Sequence, residues 1–257
     1  MTSYFKGKSA IVTGAAQGIG FRICQELLSR GTKVILNDYN PLFLQQARDK
    51  LSEYTNLLTV EGDASDESIV NQMVSLATDK FGGLDFAIAN AGLTVMGDFL
   101  QFPVEKLQRM LRLNLEGSFL LSQAAARLMI EKGTGGRIIF MSSVTGVQAH
   151  QDTEGYGMTK AALRMLAKDL GSKLARHGIT VNCVAPGATL TERTISEEGY
   201  AESWSRVIPT GRASNTEDIA NACLFFLGPQ SSQVTGQTLV VDGGWTNISP
   251  LPPELYK

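Results

Sequence analysis

A doubly wound α/β domain built on a parallel sheet of seven strands is the fold this sequence predicts. Three observations carry that expectation. Seven short, β-rich apolar runs alternate with longer segments of helical period, and the runs carry apolar residues on both faces, as strands buried on both faces do. A glycine-rich turn directly after the first run is the third, because such sheets bind ligands at the carboxyl ends of their strands.

The elements follow in order. Residues 9–13 form the first strand, and a helix runs from the glycine turn to about Arg30, where Gly31 is placed to stop it. Residues 33–38 are the second strand, with a helix from Pro41 to about Tyr54. The third strand, 57–60, leads to a helix from about Asp66 to Lys80. Residues 84–89 precede a long helix from about Val104 to Lys132, and residues 137–141 precede one from Gly155 to about His177. Strand 180–184, a helix from about Thr216 to Leu227 and strand 238–241 close a single domain spanning residues 1–257. Helices between parallel strands pack on both faces through right-handed crossovers.

At 257 residues the chain can bury a sizeable core. With 43% hydrophobic and 19% charged residues it reads as a soluble, cytoplasmic protein. A net charge of −2 offers no basic surface to nucleic acid or an anionic membrane, and no apolar run approaches a span of ~20 residues. Residues 1–6 are too polar to open a signal peptide. Cys24, Cys183 and Cys223 stand singly in apolar segments, so neither a disulfide framework nor a metal site is expected.

Chemistry concentrates at three places. Gly14, Gly18 and Gly20, with Gln17 and Ile19 between them, form Gly-x-x-x-Gly-x-Gly at the head of the first helix, where free N–H groups and the helix dipole favour a pyrophosphate. Asp38 ends the second strand, eighteen residues beyond Gly20. A carboxylate there can accept from both adenosine ribose hydroxyls and repels a 2′-phosphate, and neither Gln17 nor Tyr39 supplies a cation, so NAD is expected over NADP. Asp63 can take the adenine amine while Ala64 shields the ring, although an Asp near a helix start also suits a cap. Finally, Tyr156 and Lys160 stand one turn apart on a helix. A fixed cation beside a phenol favours the phenolate and makes the pair a proton-transfer device. The spacing alone is weak, since Tyr4 and Lys8 repeat it.

Further along stand Asn90-Ala91-Gly92 after the fourth strand, Asn114 within Asn-Leu-Glu-Gly, and Ser143 thirteen residues before Tyr156. Pro186-Gly187 with Thr191, and Val240-Val241-Asp242-Gly243-Gly244 at the last strand, complete the series. Taken in this order the chain resembles the short-chain dehydrogenase/reductase family over essentially its whole length, most of all its sugar- and polyol-oxidising members. The resemblance implies a Rossmann-type fold and hydride transfer between NAD and a carbon bearing a hydroxyl or carbonyl. It implies Tyr156 as general acid or base, Lys160 as its cationic neighbour and a holder of the nicotinamide ribose, and Ser143 as donor to the reacting oxygen. Ser142 beside it is an alternative donor without the family spacing. Asn114 is implied to position a water linking Lys160 to solvent. The segment from Pro186 to Thr191 is implied to fix the carboxamide through the Thr189 backbone and the Thr191 hydroxyl; Thr189 departs from the family, which more often has an aliphatic there.

The family's variable wall maps onto residues 93–99, 144–155 and 190–212. Thr94, Val144, Thr145, His150 and Trp204 are the expected substrate contacts, and 190–212 reads as a helical lid. His150, Gln151, Asp152 and Glu154 suit a hydroxyl-rich substrate, as well as the ordinary polarity of a loop; His150 and Asp152 lack a third metal ligand. The helices at about 104–132 and 155–177 carry more apolar surface than one sheet face needs, and the family uses them for a dimer within a homotetramer. The Pro-rich tail, about 245–257, either packs across a neighbouring subunit or is free. The expected protein is an NAD-dependent dehydrogenase of a sugar or polyol. Its rivals are a 3-oxoacyl-thioester reductase using NADPH, against which Asp38 weighs, and a non-catalytic nucleotide-sensing scaffold, against which the intact Asn114, Ser143, Tyr156 and Lys160 set argues.

Overall fold

The computed structural model describes residues 2–248, so the tail beyond Ile248 lies outside the described residues. A helical turn, α1 (Thr2–Phe5), precedes β1 (Ser9–Val12), α2 (Gly18–Ser29), β2 (Lys33–Asp38), α3 (Pro41–Lys50) and β3 (Leu57–Glu61). Then come α4 (Glu67–Leu76), β4 (Phe86–Ala89), α5 (Val104–Leu111), α6 (Ser118–Lys132), β5 (Gly136–Met141), α7 (Glu154–Leu174) and β6 (Ile179–Pro186). The remainder is β7 (Thr189–Leu190), α8 (Glu192–Ile195), α9 (Tyr200–Ser205), β8 (Ser214–Asn215), α10 (Thr216–Leu227) and β9 (Thr238–Val241). Seven strands form one parallel sheet in the order β3-β2-β1-β4-β5-β6-β9, while β7 and β8 pair separately. The expected sheet is therefore present, and its order reverses between β1 and β4.

The two-faced burial has a simple geometric cause. Successive strand side chains point to opposite faces. Ala10 and Val12 pack against α2 and α10, while Ile11 between them packs on the opposite side with α4, α6 and α7. Val34 and Leu36 alternate with Ile35, and Phe86 and Ile88 with Ala87 and Ala89, in the same way. Burying each Ile or Leu of this set stabilises the fold by roughly 1.5–3 kcal/mol.

Several boundaries differ from the sequence reading. The helix expected over 104–132 is interrupted by a π-helical segment at Arg112–Gly117, centred on Asn114. Gly117 lets this segment lie against the β3–α4 loop, because a Cβ there would stand 2.9 Å from the Ala64 carbonyl oxygen. The helix from Asp66 ends in a second π turn at Ala77–Phe81, and α3 stops at Lys50. The fourth strand begins at Phe86, since the Asp85 side chain accepts from Lys8 Nζ at 2.8 Å and from the Ser9 N–H at 2.9 Å.

Helix α10 begins with a reciprocal cap: Asn215 accepts from the Asp218 N–H at 2.9 Å, and Asp218 accepts from the Asn215 N–H at 2.8 Å. Arg212 also donates to Asp218, at 2.7 Å, and this bond chiefly holds the carboxyl below its ordinary value of 3.8. An acid depressed in the folded state stabilises it above the unfolded-state value and loses that contribution as pH falls through the folded one. Asp218→Asn is thus expected to lower the urea midpoint at pH 7, by about 1 kcal/mol of stability, and to change little near pH 2. Equal losses at both pH values would refute the ionic contribution.

Candidate active site

At the carboxyl ends of β1, β2, β4, β5 and β6 lies a cavity of about 670 Å³. It runs from Gly18, Asp38 and Ala64 at one end to Ser143, Tyr156 and Thr189 at the other. A second hollow of about 510 Å³, between α3 and the edge strand β3, brings together none of the expected site residues.

The glycine loop is shaped by what it touches. Gly14 has φ +58°, and a Cβ on it would stand 2.7 Å from Ala91 Cα. A Cβ on Gly20 would stand 2.5 Å from Asn90 Nδ2. That amide donates to the Thr13 and Gly14 carbonyls at 3.0 and 2.8 Å, so Asn90 and Ala91 brace the loop from beneath. Gln17 at the head of α2 provides no side-chain cap, and no acidic residue occupies the helix's first turn. The Gly18 N–H instead donates to Glu192 Oε2 at 2.9 Å. Close backbone and a positive helix end fit a pyrophosphate.

Asp38 is buried and held rigidly. One carboxylate oxygen accepts from the Ala16 N–H and the other from the Asn40 N–H, both at 3.1 Å. Each oxygen keeps a lone pair, which fits a ribose diol. Asp63 binds the Ser65 N–H and hydroxyl at 2.8 and 2.7 Å through one oxygen, while Asp66 caps α4. Asp63, Ala64, Gln17 and Ile19 all line the cavity.

The opposite end is organised by α7. Lys160 is buried, its Nζ donating to the Met141 carbonyl at 2.8 Å and lying 5.5 Å from the centroid of the Tyr156 ring. Two ammonium protons remain for other partners. A Cβ on Gly92 would come within 3.2 Å of that Nζ, so the glycine keeps space beside the cation. Ser142 and Ser143 both line the cavity but differ in their bonds: the Ser142 hydroxyl donates to the Lys160 carbonyl at 2.8 Å, while Ser143 Oγ accepts from the Thr145 N–H at 3.2 Å and keeps its O–H to donate. Asn114 is fully buried outside the lining residues. Its Oδ1 accepts from the Leu93 N–H at 2.7 Å, and its Nδ2 donates to the Leu93 carbonyl and the Thr159 hydroxyl, each at 3.0 Å. The Asn114 side chain thus braces the 93 loop against α7.

Pro186, Gly187, Thr189 and Thr191 line the same end. The Thr189 carbonyl accepts from the Thr194 hydroxyl at 2.8 Å, and Thr191 caps α8. Of the expected substrate contacts, only Thr94 is in the cavity wall. Val144 is buried beneath Ser143, and Thr145 is partly buried with its hydroxyl unpaired among the described residues. His150 and Trp204 lie outside the lining; both pack on Trp245, His150 tilted at 4.7 Å and Trp204 edge-on at 4.8 Å between ring centroids. Burial pushes the His150 imidazole below its ordinary value of 6.5. No group of three or more His, Cys, Asp or Glu that could hold a metal ion occurs among the described residues.

Leu93, Glu192, Arg193 and Tyr200, all within the expected variable wall, line the cavity, and so do Arg109, Arg112 and Leu113, which lie outside it. Arg109, Arg112 and Leu113 share the helical segment leading into Asn114, a position the motif itself could have flagged.

A buried Lys beside a Tyr and a Ser, facing a glycine-rich loop across one crevice, defines an enzyme that works with a nicotinamide dinucleotide. Residues 14–246 match a family model described as enoyl-(acyl carrier protein) reductase. The chain is 32% identical over 252 residues to L-rhamnose-1-dehydrogenase of Scheffersomyces stipitis, covering 95% of this chain and 98% of the relative. It is 36% identical over 244 residues to a 3-oxoacyl-(acyl-carrier-protein) reductase of Escherichia coli, covering 93% and 98%. A short-chain dehydrogenase/reductase from Mycobacterium marinum superposes with a TM-score of 0.88 at 34% identity, covering 94% of this chain and 96% of that one. The chain belongs to the short-chain dehydrogenase/reductase family, and it is an NAD(P)-dependent oxidoreductase acting on CH–OH/C=O groups. Among the described residues no helix is long and apolar enough to cross a membrane.

Proposed function

We propose that the protein is an NAD-dependent dehydrogenase of a secondary hydroxyl in a sugar or polyol. The observation that carries the cofactor choice is Asp38, whose carboxylate is fixed by two backbone N–H groups at the end of β2. An anion held there opposes a 2′-phosphate. Gly14, Gln17, Gly18, Ile19 and Gly20 would hold the pyrophosphate, Asp63 and Ala64 the adenine, and Pro186 to Thr191 the carboxamide. The bound nicotinamide supplies or accepts the hydride. Tyr156 moves the proton at the substrate oxygen, Ser143 donates a hydrogen bond to that oxygen as charge develops, and Lys160 stabilises the phenolate. The similarity to L-rhamnose-1-dehydrogenase supports the sugar reading. The test is reduction of NAD and NADP across sugars, polyols and simple secondary alcohols. NADH formation with a sugar or polyol supports the reading. Silence there, with NADPH oxidation on an acetoacetyl thioester, replaces it with the 3-oxoacyl reductase that the Escherichia coli relative favours.

The same reading includes a cytoplasmic homotetramer assembled through the helices at 104–132 and 155–177. Phe99, Leu100, Val104, Phe119, Met158 and Met165 are exposed on or beside these helices, a surface larger than scattered apolar residues require. Phe225 on α10 and Leu239 on the edge strand β9 offer a second such area. Light scattering of the intact protein is expected to give four chains, and Phe119→Glu with Met165→Glu to lower that number. A wild-type monomer would refute the assembly.

A further inference from the structure

Among the described residues, Glu192 is the one distant carboxylate that contacts the α2 N-terminus. It sits at the head of α8, 174 residues along the chain from Gly18, and its Oε2 lies 2.9 Å from the Gly18 nitrogen. The residue before it reinforces the approach: the Thr191 methyl carbon would lie 3.5 Å from a Cβ built on Gly18. Gly18 has φ +61°, a left-handed conformation at the head of α2, and its N–H is given to this segment. Glu192 makes no ion pair among the described residues, and both it and Gly18 line the cavity.

We propose that Glu192 is a carboxylate latch that competes with the dinucleotide's pyrophosphate for the Gly18 amide and so sets cofactor affinity and release. The inference rests on the reading of this cavity as a dinucleotide site. Three physical points support it. The first turn of α2 carries no acidic side chain of its own, so its partial positive charge is available to an external anion. A single N–H cannot serve two anionic acceptors at full strength, and a carboxylate beside a pyrophosphate is repelled. Finally, Glu192 is tied to its segment. Thr191 and Thr194 form a capping box that fixes the start of α8, and the Thr194 hydroxyl continues the tie to the Thr189 carbonyl. Removing the carboxylate from Gly18 therefore frees one tie between α2 and the head of α8, beside the residues assigned to the carboxamide. Rebinding of the carboxylate then helps the product dinucleotide leave.

A ligand's apparent affinity falls by the fraction of time its seat is free. If the latch holds Gly18 for about nine-tenths of the time, it weakens cofactor binding about tenfold. Glu192→Ala is expected to tighten NADH by roughly that factor and to slow its dissociation, with Glu192→Gln, which keeps an acceptor without the charge, in between. Titration calorimetry and stopped-flow release would use NADH, ADP-ribose and adenosine on the intact protein. The latch predicts tighter NADH and ADP-ribose, which carry the pyrophosphate, and unchanged adenosine, which does not. Equal NADH affinities in wild type and both variants would overturn the latch alone, as would equal tightening of adenosine. Failure of wild type and variants alike to bind any dinucleotide would overturn the reading of the cavity itself.

Discussion

Tyr156→Phe is expected to lower kcat by a factor of about 10²–10⁴, the contribution of a positioned proton donor or acceptor. The substitution removes one hydroxyl and little else. The ring remains beside Lys160, whose Nζ stays anchored on the Met141 carbonyl. The Tyr156 backbone carbonyl still accepts from the Thr159 hydroxyl at 2.7 Å, so the turn of α7 that supports Asn114 is unchanged. Loss of turnover with intact cofactor binding would therefore locate the defect in proton transfer. The measurement is kcat in parallel with NADH affinity by fluorescence titration. Turnover undiminished in the variant would remove Tyr156 from the chemistry.

Asp38→Ala is expected to cut kcat/KM with NAD by about ten- to a hundredfold, since hydrogen bonds to a charged group contribute about 1.5–3 kcal/mol. With NADP the same change removes a repulsion and raises kcat/KM. The substitution also strips acceptors from the Ala16 and Asn40 N–H groups, which loosens the loop. That damage acts on both cofactors alike and cancels in the NAD-to-NADP ratio. The ratio is the readout, and a ratio equal to wild type would show that the preference is set elsewhere.

Much of this architecture was legible in the chain because its determinants are local. Strands buried on both faces need unbroken apolar runs, and the registers Ala10↔Val34 and Ile11↔Ile35 pair two of them directly. The glycine spacing, Asp38 at a strand end and Tyr156 one turn from Lys160 are each set by fewer than ten consecutive residues or by the end of one strand. Their meeting in one crevice follows from parallel strands sharing a carboxyl edge.

What the sequence by itself determined was the α/β class, the seven strands and the short motifs at Gly14–Gly20, Asp38 and Tyr156–Lys160 that line one crevice. The tertiary structure alone decided which of two adjacent serines is available, since the Ser142 hydroxyl finds its acceptor on Lys160, eighteen residues away. It converted the long helix into a π segment at Asn114, whose amide meets Leu93 and Thr159 only after folding. It packed both His150 and Trp204 against Trp245. It also carried Glu192 to the amide of Gly18. These contacts depend on where separate loops converge, and no periodicity or short motif encodes a distance between loops.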